Sequence, residues 1–501
     1  MRRRSVRPIL ALALVAGLSL TRAQDAFQLG SDIDGEGARD FVGAVISLSD
    51  DGRRVATSAH TDGGVIDSIG HVRVYEYDGS DWRQLGEDVL RAVPQSNYTV
   101  GLDLSGDGRT LAVASPIVAD DRGESRLRSG VGVYVFEDSA WRPRGEITRE
   151  ASDDFLAESL SLSADGTRLA VGSGLPDDNR GRVEVYEYDG AEWVGVGEPI
   201  EGRVAGETFG WEVELSADGR RLVVGAPDVW NELDDAGKVS VYEYADGEWL
   251  QRGGNLEGGA GDYLGSGVWI SPAGTRVAAQ ATHLDERVGR VQIDSLEGGR
   301  WVPFGPPAPT EVGWLESTRM DLSAGAEVLA VSASNVTPPT HEGYVAVYQR
   351  SDGDWERLLE IPGERPGDQF ARSLALSADG TRLAGGSSWN SDAAEDAGHV
   401  RVFALDLPVR VPEAPAPLLT LYPSPATDWL EVRLPTSPGS ETDGASGVEL
   451  AVYTADGRLA ARYPLDRSTE LDTSGLAAGS YLARVTGLDG GPQTIPFAVV
   501  R

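Results

Sequence analysis

One short pattern, an apolar strand that ends in Ser-x-Asp-Gly, recurs along most of this chain and constrains its fold more than any other feature. The serine stands at Ser49, Ser105, Ser163, Ser216, Ser271, Ser323 and Ser377, in steps of 56, 58, 53, 55, 52 and 54 residues. Residues 209–253 hold the clearest copy. In it Val213 and Leu215 alternate with Glu212 and Glu214, the period-two pattern of a half-buried strand. Asp218-Gly219 then reverses the chain, because glycine takes positive φ without steric cost, and Leu222-Val223-Val224 leads it back. A polar loop precedes a third strand at residues 239–242, Asp246-Gly247 makes a second turn, and Trp249 opens a fourth strand.

Seven such four-stranded units predict an all-β chain built on a seven-bladed β-propeller of antiparallel blades. The step from the third-strand position (Tyr75, Tyr134, Tyr186, Tyr242, Asp294, Tyr348) to the next tryptophan is seven residues every time. Those tryptophans are Trp82, Trp141, Trp193, Trp249, Trp301 and Trp355, and packing between blades accounts for them. The loop between the second and third strands varies instead, as free loops on a packed scaffold do. The seventh copy has no tryptophan where its fourth strand belongs. Gln28-Leu29-Gly30 matches Gln84-Leu85-Gly86 of the first unit, so the N-terminal segment is expected to complete the last blade and remove its open edge.

The ends read differently. Residues 1–23 carry Arg2, Arg3, Arg4 and Arg7 before an apolar run at 9–20, the form of a secretory leader cleaved between Ala23 and Gln24. That run is short for a membrane span. The propeller is expected over 24–407. Residues 408–417, with Pro408, Pro412, Pro415 and Pro417, form a stiff linker, and 418–501 alternate short strands with glycine turns, which indicates a small C-terminal β-sandwich.

Composition excludes several functions. With no cysteine there is neither a disulfide nor thiol chemistry. The net charge of −35 disfavours nucleic acid and anionic lipid as partners, and loss of the arginine-rich leader makes the chain more acidic still. No nucleophile elbow, P-loop or dinucleotide fingerprint is present, so no catalytic residue is named. His71 and His399 share one third-strand slot and read as scaffold positions, while His60, His283 and His341 lack metal-ligand spacing.

Two resemblances add to this reading. Tyr422-Pro423-Ser424-Pro425, Asp456-Gly457-Arg458, Leu476 through Gly479, and Tyr481 make the C-terminal module similar to the sorting domain of the type IX secretion system of Gram-negative bacteria. Ser424 stands where that family usually has Asn. The resemblance implies export through the periplasm, the type IX machinery as a partner, and a final place in the medium or on the outer surface, with no transmembrane segment in the mature chain. Phe209-Gly210, Gly225-Ala226-Pro227 and residues 237–242 make the blades resemble FG-GAP repeats of the integrin-α type, with weaker copies at Tyr263 and Trp314. Propellers of that type bind calcium through aspartate-rich loops. Here Asp51, Asp107, Asp165, Asp218 and Asp379 offer one carboxylate per turn, too few for the six to eight oxygens calcium takes. No cofactor is expected; calcium stays possible but is not supported by these turns, and the metal ligands are left open.

The long loops between second and third strands share a face with the blade connections, and ligands of propellers usually sit where such loops converge. Trp230-Asn231-Glu232 and Trp389-Asn390 place an indole beside amide and carboxylate groups, able to stack on a sugar ring and hydrogen-bond its hydroxyls. The expected function is a surface or secreted binding and adhesion module for glycan or an extracellular protein. The alternatives are a polysaccharide hydrolase or lyase using loop carboxylates, and a structural surface protein without a small ligand.

Overall fold

A computed structural model describes residues 26–59, 71–90, 101–115, 130–148, 157, 159–174, 176–228, 235–283, 288–311, 319–334 and 342–407 of the first unit. In the C-terminal unit it describes 420–422, 429–433, 449–454, 458–464, 468–472, 476–486 and 493–499. The chain divides into two compact units, Met1–Leu407 and Pro408–Arg501.

The first unit is a ring of seven antiparallel sheets, here blades 1 to 7 in chain order. In blade 4, Glu212–Leu215, Arg221–Ala226, Lys238–Ala245 and Glu248–Gln251 pair in sequence, with Val213 opposite Val224, Val223 opposite Val241 and Tyr244 opposite Trp249. Asp246 and Gly247 both have positive φ, which suits the tight hairpin turn. Apolar side chains mesh between neighbouring blades. Val183 and Val185 of blade 3, for example, pack with Val213, Leu215, Leu222 and Val224 of blade 4, all nearly without exposure. Each such buried Val or Leu contributes roughly 1.5–3 kcal/mol. Among the described residues the one helix is the single turn Pro176–Asn179.

The ring closes as the sequence implies. Ala26–Gln28 pairs antiparallel with His399–Leu405 of blade 7, and Ile33–Asp34 continues that pairing opposite Val400 and His399. Trp82, Trp141, Trp249 and Trp301 repeat one bond to the preceding blade, whereas the buried Trp193 Nε1 makes none. Trp141 Nε1 donates to Leu85 O of the preceding blade at 2.8 Å, and Trp82 Nε1 donates to Leu29 O at 2.7 Å. Gly86 and Gly30, both at positive φ, leave room for these indoles, since a Cβ on either would lie about 3 Å from the ring.

The Ser-x-Asp-Gly turns are self-contained. Ser216 Oγ donates to Asp218 Oδ1 at 2.7 Å and accepts the Arg221 N–H at 2.9 Å, while Asp218 Oδ1 also accepts the Arg220 N–H at 3.0 Å. Leu264, not Tyr263, makes the bridge to Gly237 that Phe209 makes to Gly181.

In the C-terminal unit, Thr420–Tyr422, Trp429–Arg433 and Ser468–Asp472 form a three-stranded sheet. Leu459–Pro464, Glu449–Thr454, Gly479–Thr486 and Gln493–Val499 form a four-stranded one, in that order.

Candidate functional site: the central channel

The innermost strands of all seven blades surround a channel of about 790 Å³. Because side chains alternate along a strand, the apolar half of each first strand packs between blades and the other half lines this channel. Two residues before each marker serine stands one lining position per blade: Ser47, Asp103, Ser161, Glu214, Trp269, Asp321 and Ala375. Two residues earlier in blades 4 and 6 stand Glu212 and Arg319, and Trp211 and Arg372 lie nearer the blade-connection end.

Several of these side chains tie adjacent blades together. Ser47 Oγ accepts the Leu104 N–H at 3.0 Å, Asp103 Oδ2 the Leu162 N–H at 2.7 Å, Ser161 Oγ the Leu215 N–H at 2.9 Å, and Asp321 Oδ2 the Leu376 N–H at 2.6 Å. Each donor belongs to the next blade, so serine and aspartate do the same work in the same slot. Glu214 likewise accepts the Ile270 N–H.

The acids therefore fall in blades 2, 4 and 6, each half-buried in the channel. Burial pushes Asp103 up to about 6 and Asp321 up to about 7, against backbone hydrogen bonds that pull the other way. Burial raises Glu214 well above the usual carboxylate range, and the charges of Asp321 and Asp103 add to it. Glu212 is raised by burial and partly relieved by Arg319.

The end of the channel at the Ser-x-Asp-Gly turns is encircled by backbone. Asp50 N–H donates to Gly106 O, Asp107 N–H to Ala164 O, Ala164 N–H to Ala217 O and Ala217 N–H to Pro272 O, at 2.9–3.1 Å. Ala324 N–H donates to Ala378 O at 2.8 Å and Ala378 N–H to Asp50 O at 2.9 Å. The chain of donors breaks at Pro272, which has no N–H to give.

The loop residues expected to bind ligand fare unequally. Trp230, Asn231 and Glu232 lie outside the described residues. Trp389 is 40% exposed and sets its ring edge-to-face against Phe41 at 5.3 Å. Asn390 is buried; its Oδ1 accepts the Asp392 N–H at 2.9 Å and its carbonyl accepts the Gly398 N–H at 2.9 Å, so it shapes the loop from within. Sequence reasoning passed over Asp103, Glu212, Glu214, Arg319 and Asp321. The available signal was an acid two residues before the serine in three separate copies.

Of the sorting-domain positions, Tyr422 ends its strand, Leu476 is half-buried and Gly479 opens a strand. Tyr481 is buried, its hydroxyl donating to Ala477 O at 2.9 Å across the turn before its strand. Pro423, Pro425 and Gly457, like Ala23 and Gln24, lie outside the described residues. Residues 420–493 match the family described as the secretion system C-terminal sorting domain. The C-terminal module is a secretion sorting domain. The protein is accordingly a type IX secretion substrate, released from the cell or held on its outer surface.

No curated protein sequence matches the chain. Solved structures similar to it include an oligogalacturonate lyase in complex with manganese (10% identity, 76% of this chain and 96% of that one, TM-score 0.47). Others are the Kuenenia stuttgartiensis hydrazine synthase (15%, 72% and 94%, 0.45) and the Pseudomonas aeruginosa periplasmic gluconolactonase (18%, 64% and 87%, 0.44). Among the described residues no helix is long and apolar enough to cross a membrane.

Proposed function

We propose that the exported propeller is a glycan-binding module whose site is the half of the channel nearer the blade connections. One observation carries this reading: Trp211, Glu212, Arg319 and Arg372 line a single concavity of about 790 Å³, within the range of small-molecule sites. An indole offers a flat apolar face to the C–H side of a sugar ring. Carboxylates accept from hydroxyls and guanidinium groups donate to them, and the enclosure strengthens both. The FG-GAP character of the blades, resting on Phe209-Gly210, Gly225-Ala226-Pro227 and residues 237–242, is part of the same proposal and fits an adhesive role.

A second reading has its own observation. Burial raises the proton affinity of Glu212 and Glu214, the direction a general acid of glycosidic cleavage needs. Glycan-array binding of the full chain, followed by calorimetry on the strongest hit, separates the readings. Trp211→Ala and Glu212→Gln are expected to weaken binding at least ~10-fold, about 1.4 kcal/mol, with Trp389→Ala near wild type. The reverse pattern would move the site to the loop face, and no binding at all would remove the glycan reading. Release of reducing ends that Glu212→Gln abolishes would establish the enzyme instead.

A further inference from the structure

The slot that follows the glycine opening the third strand carries a permanent cation in three blades: Arg182, Lys238 and Arg290. In two of them the cation neutralises an acid of the incoming blade connection. Lys238 Nζ lies 2.6 Å from Glu207 Oε1, and Arg290 reaches both oxygens of Asp262 at 3.0 and 2.6 Å. Blades 1 and 7 place a histidine there, His71 and His399, each with an arginine two residues on.

The two histidine blades then part company. In blade 1, Arg73 gathers both nearby acids, bonding Asp88 at 2.7 and 2.9 Å and Glu36 at 3.1 Å. In blade 7 the corresponding Arg401 gives its Nε–H to Gln28 Oε1 at 3.0 Å and stacks over Phe403, reaching only Glu364, at 3.3 Å. Asp32 accepts from Gln28 Nε2 at its Oδ1 and turns its Oδ2 to the imidazole. His399 is 1% exposed, and its Nδ1 makes no hydrogen bond although Asp32 Oδ2 is 3.5 Å away.

We propose that His399 Nδ1 and one carboxylate oxygen each from Asp32 and Glu364 hold a divalent transition-metal ion of the zinc class at the seam where the ring closes. The three donor atoms lie within 4.8 Å of one another. Two ligands of a tetrahedral ion bound at ~2.1 Å stand about 3.4 Å apart, so the Nδ1–Oδ2 spacing suits a shared ion better than a hydrogen bond. Glu364 is the exposed member and can close the remaining distance, exchanging Arg401 for the metal. Imidazole with two carboxylates is a donor set that zinc accepts, with water in the fourth position. Charge points the same way. Asp34 and Asp368 add negative potential around His399, and Asp392 does so while paired with Arg365. A dication would supply here what Lys238 and Arg290 supply in blades 4 and 5. Because Asp32 comes from the closing segment, Glu364 from the connection into blade 7 and His399 from its third strand, the ion would staple the N-terminal segment in place.

The test is zinc titration of the full chain by calorimetry after chelation and dialysis, with cobalt(II) as a visible-absorption probe of the same site. One equivalent of zinc should bind, a cobalt d–d band should appear, and both should weaken at least tenfold in Glu364→Gln, whose exposed position leaves folding intact. His399→Gln should lose the site as well, and His71→Gln should keep it. Zinc should also raise the unfolding temperature of wild type but not of Glu364→Gln. Absence of stoichiometric zinc in wild type, or unchanged binding in Glu364→Gln, would overturn the proposal and leave a plain imidazole–carboxylate pair.

Discussion

Two rings of carboxylates circle the same propeller and behave in opposite ways. In the channel, Asp103 and Asp321 sit where burial outweighs their hydrogen bonds, and their affinity for protons rises. At the turns, Asp165, Asp218 and Asp379 are exposed; the remaining cost of burial is outweighed by the serine hydroxyl and the turn's own N–H groups together, and their affinity falls. Both kinds accept backbone N–H groups at 2.6–3.0 Å, so hydrogen bonding alone does not separate them. Access to water does. Solvent screens an ionised turn aspartate, whereas a half-buried channel carboxylate stands among other acids and holds its proton more tightly.

The largest effect should come from removing a channel acceptor outright. Asp103→Ala strands the Leu162 N–H and the Ser47 hydroxyl in an enclosed place and should lower stability by about 2–3 kcal/mol. Urea denaturation measures it, and a loss below ~1 kcal/mol would mean that channel water replaces the carboxylate without cost.

A smaller, pH-dependent effect is expected at Asp321. Between the unfolded value of about 4 and the folded value of about 7, the native state holds a proton that the unfolded chain has released. The contribution is complete below about pH 4 and is lost as pH rises through about 7. Serine does the same bridging at Ser47 and Ser161, so Asp321→Ser should match wild type near pH 5 and exceed its melting temperature at pH 8. Parallel melting curves for the two proteins across that range would contradict the raised affinity.

The smallest effect should be at the turns. Asp218→Ala removes local bonds at an exposed hairpin and should cost about 0.5–1 kcal/mol. Here the sign of the pH effect reverses, since a group of lowered affinity stabilises above about pH 4 and loses that contribution under stronger acid. Equal losses for Asp218→Ala and Asp103→Ala would erase the distinction between the rings.

This contrast also explains what could be read in advance. The seven-residue step from Tyr242 to Trp249 was legible because it is fixed by packing: Trp249 Nε1 must reach Val196 O of the neighbouring blade, at 2.8 Å. Closure was legible for the same reason, through the match of Gln28-Leu29-Gly30 to Gln84-Leu85-Gly86. The channel was not. Glu212 and Glu214 occupy the polar half of an alternating strand, and period-two patterning marks only which half avoids the core, not whether the other half meets solvent or an enclosed space. Asn390 was ambiguous for a related reason, because a side chain that organises its own loop has the same composition as one that meets a ligand.

The closing segment sets an order of events. Gln28 accepts a hydrogen bond from Arg401, 373 residues away, so a strand made early is among the last to find its place. Until blade 7 exists, that segment has no partner and the nascent ring has two open edges. The entropy of joining such distant ends grows only with the logarithm of their separation, so length is a modest obstacle to closure. Timing is the greater one. The early strand must stay soluble and unpaired while everything that will receive it is still being made, and any protease that trims those few residues leaves a circle without its clasp.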